Sequence, residues 1–201
     1  MPTVYLIRHA QASFGKSDYD RLSPMGERQA ALLGKTLVAR GVSPAVVVSG
    51  SMRRHAQTAA LAGFAPEIDR GFDEFDHEEI IVAHKPAYFQ EMFTAATERW
   101  VRGGDGYTES FADFCERSEA AIRRTAERLG KGETAVVFTS GGPIAAVVSR
   151  LLSGGDDLWP SLNPVTINTA ITKVVSGRSD LTVVSYNEHA HLDGTELLSY
   201  R

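Results

Sequence analysis

Cysteine is almost missing from this chain: Cys115 is the only one among 201 residues. An internal disulfide is therefore impossible, and a reducing compartment, the cytoplasm, is the expected setting. No apolar run approaches the length that spans a bilayer, which excludes a transmembrane helix and a membrane partner. No leader is expected ahead of the first core strand, because that strand opens almost at Met1. A basic excess is lacking too. The formal net charge of -4 argues against a broad nucleic-acid-binding face and leaves room for a small basic pocket. Internal repeats and low-complexity tracts are absent. What is there, 43% hydrophobic and 23% charged residues, is an ordinary globular composition. The length suits one domain over 1–201 with a full core.

Three apolar runs set the frame. Val4-Tyr5-Leu6-Ile7 reads as a strand buried on both faces, and it ends abruptly in Arg8 and His9. Ala45-Val46-Val47-Val48 ends in Ser49-Gly50-Ser51, and Thr134 to Thr139 ends in Ser140-Gly141-Gly142-Pro143. Helical patterns lie between. Ser23 is placed as an N-cap with Pro24 first in its helix, Ala30, Leu33 and Leu37 share one face, and Gly41 serves as a left-handed cap. A second helix carries Arg53, Arg54, His55, Gln57 and Thr58. Strand alternating with helix predicts an α/β fold with parallel βαβ units.

The middle is less regular. Residues 66–69 predict a short strand, and 73–79 an acidic loop. Two amphipathic helices follow, about 86–101 with Phe89, Phe93 and Trp100 inward, and about 110–129 with Phe111, Phe114 and Ile122 inward. Together they predict a helical insert over about 70–130 that covers one end of the sheet as a lid. Tyr88, Phe89 and Trp100 read as core or lid wall. Thr166 to Val175 and Leu181 to Tyr186 predict the last two strands, with a terminal loop through His189 and His191.

In a parallel sheet the tips at Arg8-His9, Ser49-Gly50 and Ser140-Gly141 converge on one crevice. Arg54, one helical turn past the second tip, can turn back toward it. Gly141 and Gly142 leave backbone N–H groups uncovered at a helix N-terminus. A guanidinium is a planar fork for phosphate oxygens, and a neutral imidazole is a nucleophile. Together these groups describe a phosphate site. Other readings of single residues are weaker. Ser140 as a hydrolase nucleophile wants glycine two residues before and after; Gly142 fits, but position 138 is Phe. His77 with the acidic loop, or His189 with His191, lacks a convincing metal-ligand spacing, so neither a metal nor a cofactor is expected.

The chain resembles the histidine phosphatase superfamily, the phosphoglycerate mutase-like proteins. Leu6-Ile7-Arg8-His9-Ala10 matches that family's Arg-His-Gly signature with Ala for Gly. Leu22-Ser23-Pro24-Met25-Gly26-Glu27-Arg28-Gln29-Ala30 matches its Leu-(Ser/Thr)-x-x-Gly-x-x-Gln-Ala start of a helix. Ser49-Gly50-Ser51-Met52-Arg53-Arg54-His55-Ala56-Gln57-Thr58-Ala59 matches Ser-x-x-Leu-x-Arg-Ala-x-Gln-Thr-Ala, and Phe72-Asp73-Glu74 falls at Leu-x-Glu. The resemblance implies a three-layer α/β/α sandwich with a mostly parallel sheet. It implies that His9 takes the phosphoryl group and that Arg8 and Arg54 clamp its oxygens. Glu74 would protonate the leaving oxygen and then activate water, with Asp76, Glu78 and Glu79 close by as alternatives.

Two departures stand out. Ser140 occupies the place of the family's second catalytic histidine, and Gly15 stands near where many members carry a phosphate-touching Asn. A serine hydroxyl can still donate to the phosphoryl group, as Gly141 can through its backbone, but it brings no charge. Charged hydrogen bonds are worth about 1.5–3 kcal/mol and neutral ones about 0.5–1.5 kcal/mol. The expectation is a metal-independent phosphomonoester hydrolase for a small phosphorylated substrate, working through phosphohistidine at reduced rate. The rivals are a non-catalytic phosphoryl-ligand-binding member and a phosphoglycerate mutase.

Overall fold

The structure, a computed structural model, describes residues 1–13, 20–76, 79–80, 89–178 and 180–200, the side chains of 89–94 excepted. Gly15, His77, Glu78 and Tyr88, and the side chains of Phe89 and Phe93, lie outside what is described.

β1 (Thr3–Arg8) is buried on both faces as its apolar run demands. Val4 and Leu6 point into one core cluster and Ile7 into another. Its neighbours are β4 (Thr134–Thr139) on one side and β5 (Ile171–Ser176) on the other. With β2 (Val46–Ser49), β3 (Glu67–Ile68) and β6 (Leu181–Glu188), the sheet order is β3-β2-β4-β1-β5-β6. The first four strands in that order run parallel, while β5 is antiparallel to both of its neighbours.

Register decides where the site lies. Arg8 pairs with Thr139 and Ser49 with Phe138, so three parallel strands end level with one another. The ladder continues past the tips, with His9 N–H donating to the Thr139 carbonyl at 2.8 Å and Gly50 N–H to that of Phe138 at 3.1 Å.

Helices cover both faces. α1 (Pro24–Ala39) and α2 (Arg53–Leu61) supply Leu33, Leu37 and Ala59 to one side. α1 starts and stops as its sequence predicts: Ser23 Oγ accepts the Gly26 N–H at 3.0 Å, and Gly41 takes φ +67° just past the end. α3 (Phe89–Val101) and α4 (Phe111–Glu127) form the helical pair expected in the middle of the chain. α4 does more than cover an end. Its Ala121, Ile122 and Ala126 pack on the sheet beside Val147 and Val148 of α5 (Gly141–Ser153), completing the second helical layer. Trp100 of α3 instead joins Phe75, Phe111, Phe114 and Trp159 in an aromatic cluster. Trp159 opens the short α6 (Trp159–Leu162).

The last strands differ from expectation at one end. β5 begins at Ile171, five residues later than the pattern of Thr166 to Val175 suggests. Thr169 takes φ +62°, and its N–H donates to the Arg8 carbonyl at 3.0 Å. The buried Asn168 donates its side-chain amide to the His9 carbonyl at 3.1 Å. These residues fold over the tip of β1, where an extended strand would have run past it. The terminal segment through His189 and His191 then places Leu192 and Leu197 in a cluster with Met25 and Leu32 of α1.

Candidate active site

The strand tips bring His9, Arg54 and Glu74 together, with Arg8, Gly141 and Ser140 around them. His9 is almost fully buried. Its Nδ1 lies 2.7 Å from the Ala10 carbonyl, which can only accept, so Nδ1 carries the proton. Nε2 then holds the lone pair, and it accepts a hydrogen bond from Arg54 Nε at 3.2 Å. Both contacts select the same tautomer. Burial, and then the guanidiniums of Arg54 and Arg8, hold the ring well below the ordinary histidine range and keep it neutral.

Arg54 is set by a residue that the sequence reading missed. Asp20 Oδ1 accepts from Arg54 Nη1 at 2.8 Å, and Asp20 Oδ2 accepts from the Arg53 N–H at 2.7 Å. One carboxylate thus caps α2 and orients the guanidinium. Its only sequence signal is position in a polar loop, where an acidic side chain is unremarkable. Arg8 donates through Nη1 to the Thr166 carbonyl and, at 2.9 Å, to that of Tyr200. It lies beside Gly141, where an added Cβ would stand 3.7 Å from Arg8 Nε.

Glu74 reaches the site from the loop after β3. Its Oε2 accepts the Gly142 N–H at 3.2 Å and its Oε1 the Phe75 N–H at 3.3 Å. The helix N-terminus expected to face phosphate therefore gives one of its N–H groups to this carboxyl. Gly142 must lack a side chain here, since a Cβ would fall 2.1 Å from Glu74 Oε1. Burial raises the carboxyl above its usual range, against the lowering pull of Arg54, the two N–H groups and Arg8. Three side chains fix the loop. Phe75 inserts into the aromatic cluster, 4.8 Å from Trp100 by ring centroids. Thr139 Oγ1 donates to the Phe72 carbonyl at 2.6 Å. Arg117 of α4, also missed from sequence, donates to the Asp73 carbonyl at 2.8 Å. Of the alternative acids, Asp76 and Glu79 serve elsewhere: Asp76 Oδ1 accepts the Glu79 N–H at 3.0 Å, and Glu79 accepts the Thr108 N–H at 2.7 Å.

Ser140 is fully buried, and its Oγ lies 2.7 Å from His55 Nε2. His55 is equally buried, its ring centroid 5.7 Å from that of His9. Burial and then Arg54 lower its pKa well below the ordinary value, with the Gly50 backbone pulling the other way. Among the described residues no group of three or more His, Cys, Asp or Glu side chains is arranged to hold a metal. His189 Nδ1 donates to the Asn187 carbonyl at 2.7 Å, and His191 Nε2 lies 3.1 Å from Thr169 Oγ1.

Two buried neutral imidazoles make stability pH-dependent. As pH falls below about 6.5 the unfolded chain takes up protons that the folded chain refuses. The contribution is fully present above that pH. It is lost on acidification at up to about 1.4 kcal/mol per pH unit for each ring. Glu74, raised in the folded state, works in the opposite sense, so a variant comparison isolates the histidines. In urea unfolding at about pH 7.5 and about pH 5.5, His55→Gln is expected to lose less stability on acidification than wild type. Equal losses would contradict the assignment of a buried neutral ring.

A mostly parallel α/β sandwich whose strand tips gather an imidazole, guanidiniums and a carboxyl is the architecture of phosphoglycerate mutase-like proteins. The chain belongs to the histidine phosphatase superfamily (branch 1), whose family model matches residues 4–189. A mutant phosphoserine phosphatase from Entamoeba histolytica, solved with phosphoserine, superposes with a TM-score of 0.75 at 18% identity, over 96% of this chain and 100% of that one. The phosphoglycerate mutase of Bacillus anthracis gives 0.69 at 19% identity, over 94% of each chain. A curated relative, the mitochondrial serine/threonine-protein phosphatase PGAM5 of Xenopus laevis, is 30% identical over 86 residues. That stretch is 41% of this chain and 31% of the relative, under a third of its length. The solved neighbours share this fold, and the family match sets the class. Among the described residues no helix is long and apolar enough to cross a membrane.

Proposed function

We propose that this chain hydrolyses phosphomonoesters through a phosphohistidine on His9. The observation that carries the reading is the state of His9: neutral, its Nδ1 proton committed to the Ala10 carbonyl and its Nε2 lone pair turned to Arg54. An incoming phosphoryl group takes the Arg54 N–H onto one of its oxygens and frees Nε2 for in-line attack. The N–P bond forms as the P–O bond to the leaving group breaks, and the leaving oxygen takes the proton of the Glu74 carboxyl. Arg8 and Arg54 offset the charge on the equatorial oxygens, with the Gly141 N–H and the Ser140 hydroxyl completing the clamp. Water follows. The Glu74 carboxylate removes its proton as its oxygen attacks phosphorus, the N–P bond breaks, and phosphate leaves with His9 neutral again.

The test is steady-state hydrolysis of p-nitrophenyl phosphate and of a panel suggested by the similar proteins: phosphoserine, 3-phosphoglycerate and a phosphoserine peptide. An alkaline detergent quench should trap a phosphoenzyme that survives base and is lost in acid. Phosphate release without a phosphohistidine would overturn the mechanism. Anion binding with neither turnover nor phosphoenzyme would favour the non-catalytic ligand-binding reading, and transfer of phosphate within 3-phosphoglycerate the mutase reading. Turnover is expected to persist in excess EDTA, because two guanidiniums supply the charge that a metal would. Activity lost to the chelator and restored by a divalent ion would refute that.

A further inference from the structure

His55 has no part in the mechanism above, yet the fold is built around it. Its ring is fully buried beside the reacting histidine. Gly50, at the tip of β2, is bare where the ring sits, since a Cβ there would lie 2.4 Å from His55 Nδ1. The other nitrogen, Nε2, meets Ser140 Oγ at 2.7 Å. Ser140 is the residue after the Thr139 that pairs with Arg8, so it stands next to His9 at adjacent strand tips. Buried polar side chains are costly unless hydrogen-bonded, and here His55 Nδ1 has no hydrogen-bond partner among the described residues.

We infer that His55 and Ser140 act as one unit, in which the His55 imidazolium donates to Ser140 Oγ and the Ser140 hydroxyl donates to a phosphoryl oxygen. The unit supplies, through a hydroxyl, the positive charge that Ser140 alone lacks. The inference rests on the phosphoryl-transfer reading and makes His55 a positioning residue, one step removed from the substrate. No proton passes to the product. His55 takes a proton from solvent when the phosphoryl dianion binds and returns it when phosphate leaves. Nε2–H of the cation lies on Ser140, and Nδ1 faces the Gly50 backbone without a hydrogen bond among the described residues. Around the ring stand Arg54 on its own helix, His9 from β1, and Asp73, whose Oδ1 flanks Gly50 from the loop after β3. Burial, and then Arg54, oppose charging of the ring. A bound dianion works against both.

The sequence carries a matching signal. The family motif that residues 49–59 resemble has Ala at the position of His55, and the family's second histidine falls at Ser140.

Exchange of the two positions tests this. His55→Ala and Ser140→Ala should each lower kcat on p-nitrophenyl phosphate by about 10- to 100-fold with KM little changed. The double alanine variant should be no worse than either, as members of one unit require. His55→Ala combined with Ser140→His should recover most of the loss, which filling a core position would not do. His55→Gln keeps a donor to Ser140 without charge and stays informative if His55→Ala does not fold; it should remain slow. Wild-type rates in His55→Ala or His55→Gln, additive losses, or no recovery in the exchange variant would each overturn the inference. Should the wild type show neither turnover nor phosphohistidine, the hydrolase reading fails by itself. The pair is then judged by vanadate affinity, expected to weaken at least about fivefold in His55→Ala and to return in the exchange variant. Unchanged affinity, or no vanadate binding by the wild type, would overturn it.

Discussion

His9→Ala is expected to reduce phosphomonoester turnover by at least about 10³-fold and to abolish the acid-labile phosphoenzyme. Among the described residues no neighbouring group is placed to take over. The His55 ring lies 5.7 Å away by centroid, and its Nε2 is engaged with Ser140. Arg54 and Glu74 have no nucleophilic nitrogen to offer. The substitution also removes a buried ring and leaves the Ala10 carbonyl without its Nδ1 donor, at a cost of roughly 1–3 kcal/mol. Circular dichroism and a urea midpoint should accompany the kinetics. Phosphate binding should survive, weakened, because the guanidiniums remain. A folded His9→Ala protein within about tenfold of wild-type turnover would place the nucleophile elsewhere.

Glu74→Gln should have the second largest effect, and its size should depend on the leaving group. An alkoxide leaves poorly without a proton, so hydrolysis of phosphoserine should fall about 10²- to 10⁴-fold. p-Nitrophenolate leaves unaided, so phosphorylation of His9 by its ester should slow far less. Water attack still lacks its base. The variant should therefore give a burst of nitrophenol near one equivalent and then stall as phosphohistidine. The pH profile supplies an independent check. The acid form of Glu74 is the competent one for the first step, and its raised pKa extends that form toward neutrality. Wild-type turnover of an alkyl phosphate should decline on the alkaline side as this carboxyl ionises, and Glu74→Gln should lack that limb. Equal losses on both ester classes would remove Glu74 from the role of proton donor.

Much of this site was legible because its parts are local in sequence. Each strand announces itself as an apolar run, and the residues at its end are necessarily at the sheet's edge. That logic places His9, Ser49-Gly50 and Ser140-Gly141 together, and the observed register agrees. Ser23, Pro24 and Gly41 delimit α1 through backbone chemistry that needs no tertiary partner. The parts that escaped depend on pairing across long stretches of chain. Asp20 on Arg54, Arg117 on the Glu74 loop and His55 on Ser140 are ordinary residues until the fold brings them together. The misplaced start of β5 has the same origin. Thr166 to Ala170 has strand-like composition, yet Asn168 and Thr169 bond to the carbonyls of His9 and Arg8, which sequence periodicity does not register.

The position of β1 has a consequence for how the chain is made. β1 is an interior strand of the sheet, and its two hydrogen-bonding partners begin far along the chain, at Thr134 and Ile171. At roughly 5–20 residues per second, about 7 to 26 seconds pass between synthesis of Val4 and synthesis of its first neighbour. Throughout that interval Val-Tyr-Leu-Ile is an apolar strand with both edges open, the kind of segment that pairs with other chains. Closure then requires contacts far apart in sequence, which slows folding. His9, at the end of this strand, therefore gains its surroundings only after β4 and β5 have been made. Binding of nascent chains by holdase chaperones should concentrate on the segment Val4 to Ile7.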